Sequence, residues 1–116
     1  MEPQKTRKEL QILGENAVAE YITQRGGQVI RRNIKVGYDE IDILVLYQKF
    51  LVNVEVRTTS QKPRELKVSS LKRAKNVSAL ARYMLKNKKD TEGLIPIIRI
   101  YRVIADSKNT QIIKIE

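Results

Sequence analysis

Residues 40–57, EIDILVLYQKFLVNVEVR, decide how this chain folds. Two runs of aliphatic and β-branched residues flank Gln48-Lys49, the pattern of two strands joined by a short turn. Strand side chains alternate faces, so Asp42, Leu44 and Leu46 are expected on one face and Ile41, Ile43 and Val45 on the other. On the second strand Leu51, Asn53, Glu55 and Arg57 share a face, and Phe50, Val52, Val54 and Val56 share the opposite one. With Gln48-Lys49 as a two-residue loop, Tyr47 pairs with Phe50. That register sets Asp42 opposite Glu55 and Glu40 opposite Arg57. Facing residues in an antiparallel pair hold their Cβ atoms roughly 4.5–5.5 Å apart, where like charges destabilise the sheet. Two facing carboxylates among apolar neighbours need compensation, which a divalent cation supplies. A loop of another length would change the register and undo the pairing.

Upstream of this hairpin, Gln28–Lys35 reads as a strand carrying Arg31-Arg32, and Val36-Gly37-Tyr38-Asp39 as the turn into it. Before that, Leu10, Leu13, Ala17, Val18, Tyr21 and Ile22 recur at helical spacing from Arg7 to Arg25, and Gly26-Gly27 stops the helix. Residues 1–6 read as frayed. At 100° per residue Glu15 falls beside Ile22, on the margin of the apolar stripe. A solvated rim residue is the simpler reading of that position. A carboxylate there can also reach along the sheet on which the helix packs.

Downstream, Thr58–Glu65 is polar and contains Pro63, hence a loop. Val68–Asn87 is a second helix whose buried side is expected to take Leu71, Ala74, Val77, Leu80, Ala81, Met84 and Leu85. A separate stripe carries Lys72, Lys75, Arg82 and Lys86. Lys88–Gly93 reads as a charged loop, Leu94–Ala105 as a strand with an early Pro96, residues 106–109 as a turn, and Thr110–Ile115 as a last strand. The order helix, three strands, helix, two strands describes a single α/β domain over residues 1–116, a mixed central sheet flanked by helices. The helical crossover should make the strand of Glu55 and the strand of Ile100 parallel.

The chain has no Cys and no His, which removes disulfides, thiol and imidazole catalysis, and zinc sites of the Cys/His type. A metal must then be held by carboxylates and carbonyls, which favours Mg²⁺, Mn²⁺ or Ca²⁺. No apolar run reaches the length of a signal peptide core or a membrane span, so a cytoplasmic location away from membranes is the default. Lys plus Arg number 23 against 13 Asp plus Glu, a net charge of +10 that points to a polyanionic partner. Nucleic acid fits best, with Arg31, Arg32, Lys72, Lys75, Arg82 and Lys86 as phosphate contacts. The plainer alternative for the helix stripe is a solvated face.

These pieces suggest one chemistry. Asp42, Glu55 and the backbone carbonyl of Val56 are expected to ligate one Mg²⁺, with Glu15 reaching it directly or through water. Mg²⁺ takes one or two carboxylates and keeps several waters, one of which becomes acidic enough to attack a phosphodiester. Arg57 then binds the scissile phosphate, or pairs with Glu40 as a structural salt bridge.

Residues 13–22 (LGENAVAEYI), Gly26, Arg32-Asn33, 40–44 (EIDIL) and 54–58 (VEVRT) resemble the YraN family of small proteins. The resemblance covers roughly residues 8 to 85. It implies a restriction-endonuclease-like fold of the PD-(D/E)xK superfamily, related to archaeal Holliday-junction resolvases. Glu15, Asp42 and Glu55 then fall at the acidic positions, and Arg57 where many members carry Lys. By the same analogy the protein is a metal-dependent endonuclease on branched or structured DNA, with a role in repair or recombination, working as a homodimer. Three departures stand out: Asp39 replaces the usual Gly, residues 60–63 replace a Phe-Gly, and Arg99-Ile-Tyr101 replaces an Arg-Phe-Asp. Arg57 stays protonated and cannot act as a base. Arg57 and Tyr101 therefore keep open a nucleic-acid-binding domain without cleavage, and a repair-complex interaction subunit is the third reading.

Overall fold

The protein is described from a computed structural model that covers residues 5–61, 63–64, 67–105 and 109–116. Helix α1 spans Arg7–Gln24, strands β1 Gln28–Val36, β2 Asp39–Tyr47 and β3 Phe50–Thr59 follow, and α2 is Ser70–Lys86. A four-residue helix α3 (Lys88–Thr91) lies where a charged loop was expected, and β4 (Ile95–Ala105) and β5 (Thr110–Lys114) close the chain. The strands form one mixed sheet in the order β1-β2-β3-β4-β5. Its β3–β4 pair is parallel, as the crossover requires, and the others are antiparallel. This is the α/β arrangement expected of the chain. Of the expected turn at 106–109, only Asn109 lies within the described residues.

Thr6 is not frayed but caps α1, its hydroxyl accepting the Glu9 N–H at 3.1 Å; Ser69 caps α2 in the same way through the Lys72 N–H. Each helix covers one face of the sheet. Val18 of α1 packs with Ile43, Val45, Val52, Val54, Val56, Tyr101 and Val103. On the other face Ala79, Leu80 and Tyr83 of α2 pack with Ile34, Val36, Ile41, Leu44 and Leu51. Pro96 sits opposite Leu51 at a level that β5, paired only from Tyr101 onward, does not reach. Its missing N–H therefore breaks no ladder.

Two expectations are corrected. Ile41 does not share a face with Ile43 and Val45 but packs under α2. The cause is a switch of face in the β1–β2 ribbon at Asn33 and Asp42, where Asn33 takes φ +54°, a left-handed conformation that Asn tolerates better than most residues. Ile34 and Ile41, paired just beyond it, both turn to the α2 side. Second, α2 is rotated from the expected face. Leu71 (68% exposed) and Leu85 (66%) face away from the sheet with Ala74, Val77 and Ala81, while Asn76 is buried. The sheet beneath α2 is itself polar at Asn53, whose Nδ2 donates to the Asn76 carbonyl at 2.9 Å. This docking satisfies the Asn53 amide through the helix backbone, while the Asn76 Nδ2 is itself buried without a partner among the described residues.

Candidate metal and nucleic-acid site

The hairpin has the expected loop. Tyr47 pairs with Phe50 across Gln48-Lys49, and the ladder continues to Ile43 opposite Val54. There β2 leaves β3, and the Asp42 side chain takes over: its Oδ2 accepts the Val56 N–H at 2.9 Å. Asp42 and Glu55 thus meet at the mouth of the gap between the strands, in a cleft of about 350 Å³. The same divergence prevents the expected pairing of Glu40 with Arg57. Arg57 Nε instead lies 3.4 Å from Glu55 Oε1 on its own strand.

Glu15 arrives from α1. Gly14 allows this, because a Cβ there would collide with Thr58 Oγ1 on β3. Glu15 is buried behind the cleft wall rather than solvated at its rim. It accepts from Gln11 Nε2 at 2.9 Å, and Arg32 Nη2 lies 3.7 Å away. Gln11 Nε2 also donates to the Val56 carbonyl at 3.0 Å. Oriented with its amide nitrogen toward the acids, as carboxylates can only accept, Asn33 reaches Glu15 at 3.0 Å and Glu40 at 3.2 Å.

Asp42 is half-buried in this acidic group, whereas Glu40 is exposed. Burial pushes the Asp42 carboxyl up from 3.8 to about 7. The Val56 N–H opposes that rise, and the charges of Glu55, Glu15 and Glu40 add to it. The other acids have compensation that Asp42 lacks. Lys72 Nζ of α2 lies 3.2 Å from Glu55 Oε1, the oxygen that Arg57 also approaches. Among the described residues no ion pair reaches Asp42, and no three acidic side chains stand close enough to make a ready cage. The hard oxygen donors of Asp42, Glu55 and the Val56 carbonyl, around an acid that resists ionisation, suit a cation such as Mg²⁺ or Mn²⁺.

The basic residues divide. Lys75 lines the cleft, Arg82 lies against the Gly37 turn, and Lys86 continues the exposed stripe. Arg31 is exposed on β1, whereas Arg32 is turned inward onto Glu15 and is not a free surface cation. Lys72 belongs to the cleft rather than to the stripe. Tyr101 is away from the cleft, packed against Tyr21 under α1 with ring centroids 6.0 Å apart. It therefore does not bear on the acidic site. The sequence reading missed Gln11, Asn33 and Tyr38, the last fully exposed on the cleft edge. It also missed Arg102, paired with Arg57 across β3 and β4. Burial, then Arg57, holds its guanidinium below the usual range, and its Nε has no partner among the described residues.

Among the described residues no helix is long and apolar enough to cross a membrane. Residues 14–106 match the model of the Uncharacterised protein family UPF0102. A UPF0102 protein of Thermotoga maritima is 30% identical over 87 residues, 74% of this chain and 81% of that protein. One from Dictyoglomus turgidum is 34% identical over 83 residues, 70% of each chain. One from Campylobacter fetus is 33% identical over 88 residues, 75% of this chain and 79% of that one. Among solved structures, Pyrococcus furiosus SfsA in complex with Ca²⁺ aligns with a TM-score of 0.43 at 18% identity, over 87% of this chain and 61% of that one.

Proposed function

The chain belongs to the UPF0102 family, in agreement with the YraN resemblance, and from that premise we propose a nuclease-like protein, a Mg²⁺- or Mn²⁺-dependent phosphodiesterase of branched or otherwise structured DNA. The observation that carries this reading is the imbalance at Asp42. Asp42, Glu55 and Glu40 line one cleft with Glu15 behind its wall, and the half-buried Asp42 is left with a backbone N–H and an elevated proton affinity. Asp42, Glu55 and the Val56 carbonyl would hold the ion, with Glu15 behind them. When bound, the ion would offset charge developing on a phosphate and make a nearby water more acidic.

The chain's own cations do the rest. The Arg57 guanidinium, permanently charged, forks onto phosphate oxygens and orients the phosphodiester. Lys72 of α2 holds the same Glu55 oxygen that Arg57 approaches. Lys75, Arg82, Lys86 and Arg31 track the flanking backbone.

One observation favours the second reading, a DNA-binding domain without cleavage. Gln11 already occupies both Glu15 and the Val56 carbonyl, two of the oxygen donors. Calorimetric titration of Mn²⁺ separates the two. The nuclease reading expects one ion per chain at pH 7, with proton release as Asp42 ionises, and loss of binding in Asp42→Ala and Glu55→Ala. Absence of Mn²⁺ binding in the wild type at millimolar concentration would favour the binding domain.

A further inference from the structure

At the opposite end of the sheet from the acidic cleft, α1 stops before the sheet does. Beside its last turn lies a half-open cavity of about 390 Å³ with an apolar floor of Val45, Val52, Val54 and Ile97. That volume falls in the range of small-molecule sites, about 300–1,000 Å³. Its walls are aromatic, with Tyr21, Tyr47, Phe50 and Tyr101. Its polar lining is cationic, with Arg25, Arg99 and Lys114, and none of the three has an ion-pair partner among the described residues.

We propose that this cavity binds a small aromatic anion, its ring among Tyr21, Tyr47 and Phe50 and its carboxylate or phosphate against Arg99, Arg25 and the Tyr101 hydroxyl. Tyr101 is largely buried, 8% exposed, and lines the cavity beside Arg99 and Arg25. Burial, then Tyr21, pushes its pKa up while Arg99 and Arg25 pull it down, so both guanidinium charges act at the phenol. Arg25 also stacks on Tyr21, 3.5 Å from the ring centroid. The end of α1 does not repel an anion here. The Tyr21, Ile22 and Thr23 carbonyls already accept from Arg25, Gly26 and Gly27. A plain apolar surface would not need three cations without an ion pair among the described residues, and a phosphodiester track would not need an apolar floor.

The site is independent of the acidic cleft and is tested without DNA or metal. The probe is 8-anilinonaphthalene-1-sulfonate, an aromatic anion, compared with its uncharged relative N-phenyl-1-naphthylamine by fluorescence titration. Saturable binding of the sulfonate at one site per chain is expected. Arg25→Gln with Arg99→Gln should weaken it about tenfold or more, since charge-assisted bonds are lost. The neutral probe should bind weakly and respond little to the double variant. Ile97→Trp, which fills the floor, should abolish binding of both, and Lys75→Gln with Arg82→Gln should change neither. Circular dichroism checks that each variant is folded. Adenosine monophosphate and indole-3-acetate, added as competitors, distinguish a phosphate from a carboxylate ligand, and displacement by either supports the site. Several results would overturn it: no saturable sulfonate binding, equal binding in the double arginine variant, or displacement by neither competitor. A dimer in sedimentation that Ile97→Trp dissociates would also do so, because the occupant is then a second copy of the chain.

Discussion

Asp42 sits where β2 parts from β3, and its carboxylate replaces a ladder partner for the Val56 N–H. That Asp42 and Glu55 come to one cleft was legible, because strand alternation and a two-residue loop leave little freedom of register, but the parting of the strands before that pair was not. The partners of the acids were not legible. Gln11 is uncharged and follows no apolar period, and Asn33 owes its place to a positive φ that sequence only permits. The elevated pKa has a thermodynamic consequence. The unfolded chain releases this proton near pH 3.8 and the folded chain near 7. Between those values folding must take up a proton, so raising the pH removes stability; below about 4 and above about 7 the contribution is level. In metal-free buffer Asp42→Asn should therefore stabilise the protein by about 1–3 kcal/mol at pH 8 and little at pH 4. Urea unfolding of both proteins from pH 4 to 8 measures the difference, and a gain that does not change with pH contradicts the assignment.

The docking of α1 rests on Gly14. Only a residue without Cβ lets the helix approach Thr58 closely enough to bring Glu15 to Arg32 and Asn33. Gly14→Ala should cost about 1–3 kcal/mol through overpacking, despite the higher helix propensity of Ala. Thr58→Ala should recover part of that loss, since the Thr58 hydroxyl is buried without a partner among the described residues. A double-mutant cycle read by thermal unfolding checks it, and strict additivity would show that the two do not touch. The rotation of α2 marks the limit of periodicity. Its apolar residues are spread around the helix, and the count alone favours Leu71, Val77 and Leu85 over the face that is used. The face that is used meets a polar patch, where Asn53 donates to the Asn76 backbone carbonyl and Glu55 pairs with Lys72. Those long-range partners cannot be read from the helix by itself. The parallel β3–β4 pair, by contrast, was legible from the crossover.

Across the whole molecule, the +10 charge is not spread evenly around the acidic cleft. Lys75, Arg82 and Lys86 run along α2 beside it, and Arg31 flanks the sheet edge. On the proposed reading these residues set affinity, while the carboxylates set reactivity. Affinity for DNA should fall steeply with salt, with a log–log slope of about −0.9 per phosphate contact. Lys75→Glu with Arg82→Glu should flatten that slope by about two contacts and weaken binding alike on all sequences. Fluorescence anisotropy between low and physiological salt measures both. A slope unchanged by the substitutions would move the binding surface elsewhere.

The central claim is that Asp42 and Glu55 hold a cation for phosphodiester cleavage. Its most direct test is incubation of four-way-junction, flap, duplex and single-stranded DNA with the protein and Mg²⁺ or Mn²⁺, wild type beside Asp42→Ala and Glu55→Ala. The account predicts metal-dependent cleavage of branched substrates by the wild type, and its loss in both variants with binding largely retained. Tight binding of junctions with every substrate left intact by the wild type would contradict it.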